Sequence, residues 1–141
     1  MEPVMLQVLL QKLYGLGSSS TISLTTWPGR WTVREGAESG SAELVRLNDS
    51  DPHEGLLVVA FDVCNVPSQR LDVVFGRLLI SNYFAHGVVS LGLDPQRKKV
   101  VCVGSRMTRE ITDPNLVLDL VRQTAALSAH HRSTLVAESL L

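Results

Sequence analysis

Four histidines, two cysteines and a scatter of carboxylates are the residues of this 141-residue chain that could carry chemistry. A bound metal needs His, Cys, Asp or Glu at ligand spacing, and His53, His86, His130 and His131 form no such pattern. His130 and His131 are adjacent on an expected helix, so they project about 100° apart and cannot clasp one ion as an i, i+4 pair does. Asn48 to Gly55 (NDSDPHEG) is acidic, but Pro52 interrupts it and its spacing is not that of an EF-hand, so a solvated loop is expected. Gly15-Leu16-Gly17 follows a helix and lacks the later Gly and Lys of a phosphate loop. No serine stands in a nucleophile elbow. Asp62, close to Cys64 in an apolar run, could act as an acid or base if burial raised its pKa; a structural bond to backbone is the competing role. Cys64 and Cys102 both sit in apolar runs and are expected to be buried, reduced thiols. The residues therefore predict no catalytic, cofactor or metal site, and a non-enzyme.

Composition narrows the class further. The length fits one domain spanning 1–141, with enough chain to bury a core without staples. A net charge of −1 gives no electrostatic footprint for nucleic acid or an anionic membrane. The opening MEPVMLQVLLQKL begins acidic and has no small-residue cleavage site, so it is a poor secretory signal. No apolar run approaches the ~20 residues of a membrane span. A cytoplasmic protein is expected.

The elements are legible from periodicity. Val4 to Tyr14 has a helical stripe of Leu6, Leu9, Leu10 and Leu13, with Gly15 as its stop. Val4, Met5 and Val8 widen the apolar arc beyond what one packed face needs. Ile22 and Leu24 alternate with polar residues as in a strand. Pro28-Gly29 fits a type II turn, and Arg30 to Glu35 returns as a second strand, with Trp27 and Trp31 flanking the turn. Gly36 to Ser41 is a polar turn and Ala42 to Leu47 a short strand. Leu56 to Cys64 (LLVVAFDVC) is so continuously apolar that it predicts a central strand covered on both faces.

Leu71 to Pro95 (LDVVFGRLLISNYFAHGVVSLGLDP) organises the chain. Leu71, Val74, Phe75, Leu78 and Leu79 make one helical face, while Val73, Ile80 and Phe84 lie off it. Such a helix needs cover on most sides, and in a short chain a second copy can supply it. Gly76 costs this helix about 1 kcal/mol against Ala, which a close backbone approach would explain. Val88 to Leu93 and Val100 to Val103 then form a hairpin, with Gly92 marking a bulge or close contact. Thr112-Asp113-Pro114 caps a last helix. The order is helix, three or four antiparallel strands, helix, hairpin, helix; written α-β-β-β-α-β-β-α, it predicts an α+β fold, a twisted antiparallel sheet flanked by three helices.

This order, together with LLISN (Leu78 to Asn82) and SLGLDP (Ser90 to Pro95), resembles the class I type III secretion chaperones, the CesT-type family. The likeness spans nearly the whole chain. It implies a cytosolic homodimer of a Gram-negative bacterium, without enzymatic activity. Such a chaperone binds the N-terminal segment of a secreted effector and keeps it secretion-competent. The secretion-apparatus ATPase is a further partner it suggests. Carried onto this sequence, the dimer interface would use Leu71, Val74, Phe75, Leu78, Leu79 and Tyr83. The effector would lie against Leu6, Leu10 and Leu13 of the first helix and Ile22, Leu24, Trp27 and Trp31 of the first strands. Family members are typically acidic, whereas this chain is nearly neutral and carries Arg70, Arg77, Arg97, Lys98 and Lys99. The alternative is a small regulatory α+β protein that docks on a folded partner.

Overall fold

A computed structural model describes residues 1–15, 26–48, 50–51, 53–83 and 89–137. Its elements are α1 (Pro3–Tyr14), β1 (Thr26–Glu35), β2 (Glu38–Arg46), β3 (Gly55–Asn65), α2 (Leu71–Tyr83), β4 (Val89–Asp94), β5 (Lys99–Met107), a short 3-10 turn (Thr108–Glu110) and α3 (Pro114–Ala137). The five strands form one antiparallel sheet in the order β1-β2-β3-β5-β4. This is the α+β architecture and element order expected from the periodicity.

Local chemistry sets the ends of these elements. Gly15 closes α1 with φ of 89°, its N–H reaching the Gln11 carbonyl at 2.9 Å. Asp113 caps α3, its carboxylate accepting the Asn115 N–H at 2.7 Å. Asp94 does the same for the β4–β5 turn, accepting the N–H groups of Gln96 and Arg97. The expected turn at Pro28-Gly29 is not a turn. β1 runs straight through it, with an irregular register between Thr26 and Gly29. Proline lacks the donor that a ladder needs, so a bulged edge strand accommodates it. The chain reverses instead at Gly36-Ala37, where Gly36 takes φ of 59°.

β3 is central, but it is covered on one face, not both. Leu57, Val59, Phe61 and Val63 are buried, while Leu56, Val58, Ala60 and Asp62 are half-buried. The register explains the difference. Phe61 and Leu91 both stand opposite Cys102, so they share one face of the sheet. On that face α1 contributes Leu6 and Leu10 to a cluster with Trp31, Val33, Phe61, Val117 and Leu120. On the same face α2 contributes Val74 and Leu78 to a second cluster with Leu91, Val100, Cys102 and Leu135. All three helices thus occupy one side, and the other side keeps Val58, Ala60 and Val103 as a half-exposed stripe. Gly92 marks neither a bulge nor a tight contact. β4 pairs regularly with β5, and a methyl group at Gly92 would meet only Val101, at 3.8 Å.

One irregularity in the ladder is used. The β3–β5 register slips between Asp62 and Cys64, which frees carbonyl groups. Arg132 of α3 takes them, donating to the Val63 and Asp62 carbonyls at 2.7 Å each. Ser128 adds a bond to the Asp62 carbonyl at 3.1 Å. The rest of the Arg132 guanidinium grips the Glu38 carboxylate at 2.6 and 2.9 Å, so β2, β3 and α3 meet at one charge-assisted fork. The hydrogen bond from Arg132 holds the Glu38 carboxyl below its ordinary 4.5. A depressed carboxylate contributes stability above its unfolded pKa and loses it as pH falls through the folded value. Glu38→Gln is therefore expected to cost about 1–2 kcal/mol at pH 7, discounted because the Arg132 side chain is 39% exposed. Urea melts against pH should show variant and wild type converging as pH drops below 4.5. A gap that persists at low pH would mean the carboxylate charge is not what Arg132 uses.

Candidate binding surfaces

Asp62, the carboxylate that could act as an acid or base, is engaged in the fold. Asp62 makes a two-pronged ion pair with Arg97 at 2.7 and 3.0 Å, across the turn from Asp94, which Arg97 also binds at 2.8 Å. Those two carboxylates hold the guanidinium above its usual range, and Arg97 in turn draws Asp94 below the ordinary carboxylate value. Cys64 and Cys102 are free thiols, and burial pushes Cys102 up to about 11. A thiol held protonated in this way is a poor nucleophile. Among the described residues no three His, Cys, Asp or Glu side chains gather as metal ligands. No helix among them is long and apolar enough to cross a membrane.

What remains is surface, and two helices expose much apolar surface. On α1, Leu6 and Leu10 turn inward and are fully buried, as is Trp31 beneath them. These three were expected to meet an effector. They are instead the core of a single copy, because the cleanest apolar stripe of a helix is the one its own sheet takes. Leu13, also expected there, is exposed at the rim. The outward face carries Val4, Met5 and Val8, at 61%, 58% and 57% exposure, the residues that widened the arc in the sequence. Ile22 and Leu24 lie outside the described residues, as do the side chains of Trp27 and Tyr83.

α2 repeats the arrangement. Val74 and Leu78 pack into the second cluster, so within one copy they are already covered. Phe75 is half-buried and Leu71 exposed at the edge of the same face. The outer face shows Leu79 at 69%, Ile80 at 56% and Val73 at 44%. Gly76 lies among them, and a methyl group added there would meet nothing within 4 Å. Nothing among the described residues therefore explains the glycine. Between α2 and β4 runs an apolar groove of about 290 Å³, lined by Phe75, Leu78, Leu79, Asn82, Leu91 and Leu93. Leu79 belongs to both, so groove and outer face are continuous. Exposed apolar patches of this kind, on two helices of one small domain, are the usual mark of contact with other chains.

No family model matches the chain, and no curated protein sequence matches it. Among solved structures it is similar to a chain of the heterodimeric complex ExoU–SpcU from the type III secretion system of Pseudomonas aeruginosa. The TM-score is 0.51 at 22% identity, over 94% of this chain and 96% of that one. The match runs through helices and sheet alike, so this chain shares the α+β fold of a protein from a type III secretion complex.

Proposed function

We propose that this protein is a homodimeric, non-enzymatic chaperone of the bacterial cytoplasm that captures the N-terminal segment of a type III secreted effector. The observation that carries the reading is the pair of outward apolar helix faces on a fold shared with a chain of a heterodimeric complex of that system. Each helix has already satisfied its own core, so Val4, Met5 and Val8 on α1 and Val73, Leu79 and Ile80 on α2 are surplus to one copy. A second copy covers α2 in a two-fold contact, where the same patch meets itself. Leu79, with Leu71 and Phe75 at its border and Tyr83 at the end of the helix, forms that contact; Val74 and Leu78 support it from within. The client covers α1 and an edge of the sheet as an extended segment, gaining backbone pairs without strict sequence demand. Leu13 and β1 border its path, and the family resemblance adds Ile22, Leu24 and Trp27 as client contacts. Because the client loses chain entropy on binding, a large wrapped area is needed for useful affinity. The secretion-apparatus ATPase is the downstream partner of such a complex.

Co-expression with the first ~100 residues of effectors encoded nearby, followed by light-scattering mass measurement, tests this. The expected product is a complex of two copies and one effector segment, in which the segment stays protease-sensitive outside the bound stretch. A lone monomer that captures no effector N-terminus would overturn the reading. Capture of folded proteins only would favour a regulatory docking protein instead.

A further inference from the structure

An exposed sheet edge invites any extended strand, and this sheet has two: among the described residues β1 and β4 each have one strand neighbour. The β4 edge is not free. Asn82, in the last turn of α2, accepts the Leu91 N–H at 2.7 Å and donates to the Leu91 carbonyl at 2.8 Å. The N–H and C=O of one strand residue point to the same side. Leu91 therefore faces away from β5 and is met there by a side-chain amide, which offers the same donor and acceptor as a peptide unit. Ser90, Gly92 and Asp94 turn toward β5, so a strand as short as β4 has only Val89, Leu91 and Leu93 to offer a newcomer. The middle of the three is occupied, and a ladder broken at its centre offers no two consecutive pairs.

We propose that Asn82 is a plug that closes the β4 edge to strand addition and so confines extended peptide to the β1 side of the sheet. The plug also keeps β4 of one copy from pairing with β4 of another, although the apolar groove beside it brings chains close. Helix propensity does not account for Asn at this position, since Asn is a poorer helix former than Ala. The inference refines the proposed capture of an extended segment, but its test needs no client, so the two stand or fall separately.

The test compares Asn82→Ala with Asn82→Asp. Alanine removes both bonds and bares the edge. Aspartate keeps the acceptor for the Leu91 N–H, loses the donor and turns an oxygen toward the Leu91 carbonyl, and puts a charge where a strand would add. In wild type, hydrogen exchange at the Leu91 amide is expected to be as slow as at β5 ladder amides. In Asn82→Ala it should be at least ten-fold faster in dilute protein, and sedimentation should show species larger than wild type as concentration rises. Asn82→Asp should keep wild-type mass, with Leu91 exchange between that of wild type and that of Asn82→Ala. A merely structural role would weaken both variants alike and make neither associate. Fast Leu91 exchange in the wild-type protein, or equal association of both variants, would overturn the proposal, and the wild-type measurement decides even where Asn82→Ala fails to fold.

Discussion

Ile80→Asp is expected to turn the protein into a folded monomer. Ile80 is more than half exposed in one copy and stands on the outer face of α2 with Val73, Gly76 and Leu79. Its removal costs a single copy little packing, so the fold should melt near the wild-type temperature. In the proposed two-fold contact the substitution acts twice. It buries a carboxylate against apolar neighbours and brings its symmetry mate near, and a buried unpaired charge is among the costliest changes an interface can suffer. A loss of about 4 kcal/mol weakens association roughly a thousand-fold, which sedimentation across a concentration series reads directly. The choice of position matters. Leu78→Asp, the substitution the stripe suggests first, would strike a side chain already inside the second cluster with Val74 and Leu91, and would unfold a monomer and a dimer alike. A dimer that survives Ile80→Asp at wild-type affinity removes this face of α2 from the interface.

The contrast between Leu78 and Ile80 also shows what periodicity can and cannot tell. The stripes on α1 and α2 mark apolar faces, and the order of elements around them follows. A stripe does not say which cover it receives. Leu6, Leu10, Val74 and Leu78 went to the chain's own sheet because that cover is always present. The residues that broke the stripe, Val4, Met5 and Val8 on one helix and Val73 and Ile80 on the other, were left outside. The surplus over a single helical face is the visible trace of apolar surface that one copy leaves exposed, and Leu79, at the end of the α2 stripe, joins it. β3 misled for a related reason. Its run of apolar residues is continuous, yet the half facing away from the helices is only half-buried and has no layer above it among the described residues. Pro28-Gly29 carried a real turn signal that lost to pairing with β2, at the cost of an irregular register. Asn82 was invisible, since a side-chain amide that caps a strand edge is fixed by the angle at which α2 crosses β4, and no local word encodes that angle.

Gly104 depends on the same kind of crossing. It sits on β5 directly beneath α3, and a Cβ there would overlap the Thr124 hydroxyl and come within 3.0 Å of Leu120. Thr124 cannot swing aside freely, because it is fully buried and its hydroxyl donates to the Leu120 carbonyl at 2.7 Å. Gly104→Ala is expected to lose about 2–3 kcal/mol, the scale of an overpacked core, and Gly104→Val more. The strain is specific, so it should be reversible. Thr124→Ala in the Gly104→Ala background removes the overlapping oxygen and should recover 1 kcal/mol or more, roughly the coupling expected of residues in contact. Urea unfolding of the four proteins of that cycle measures it, and additive losses would mean that α3 does not rest on Gly104. The consequence reaches the proposed binding surface. Leu120 shares its cluster with Leu6 and Leu10, so an α3 pushed off the sheet loosens the floor on which α1 holds Val4, Met5 and Val8 outward. Client capture should then fall in step with stability in Gly104→Ala and return with it in the double variant.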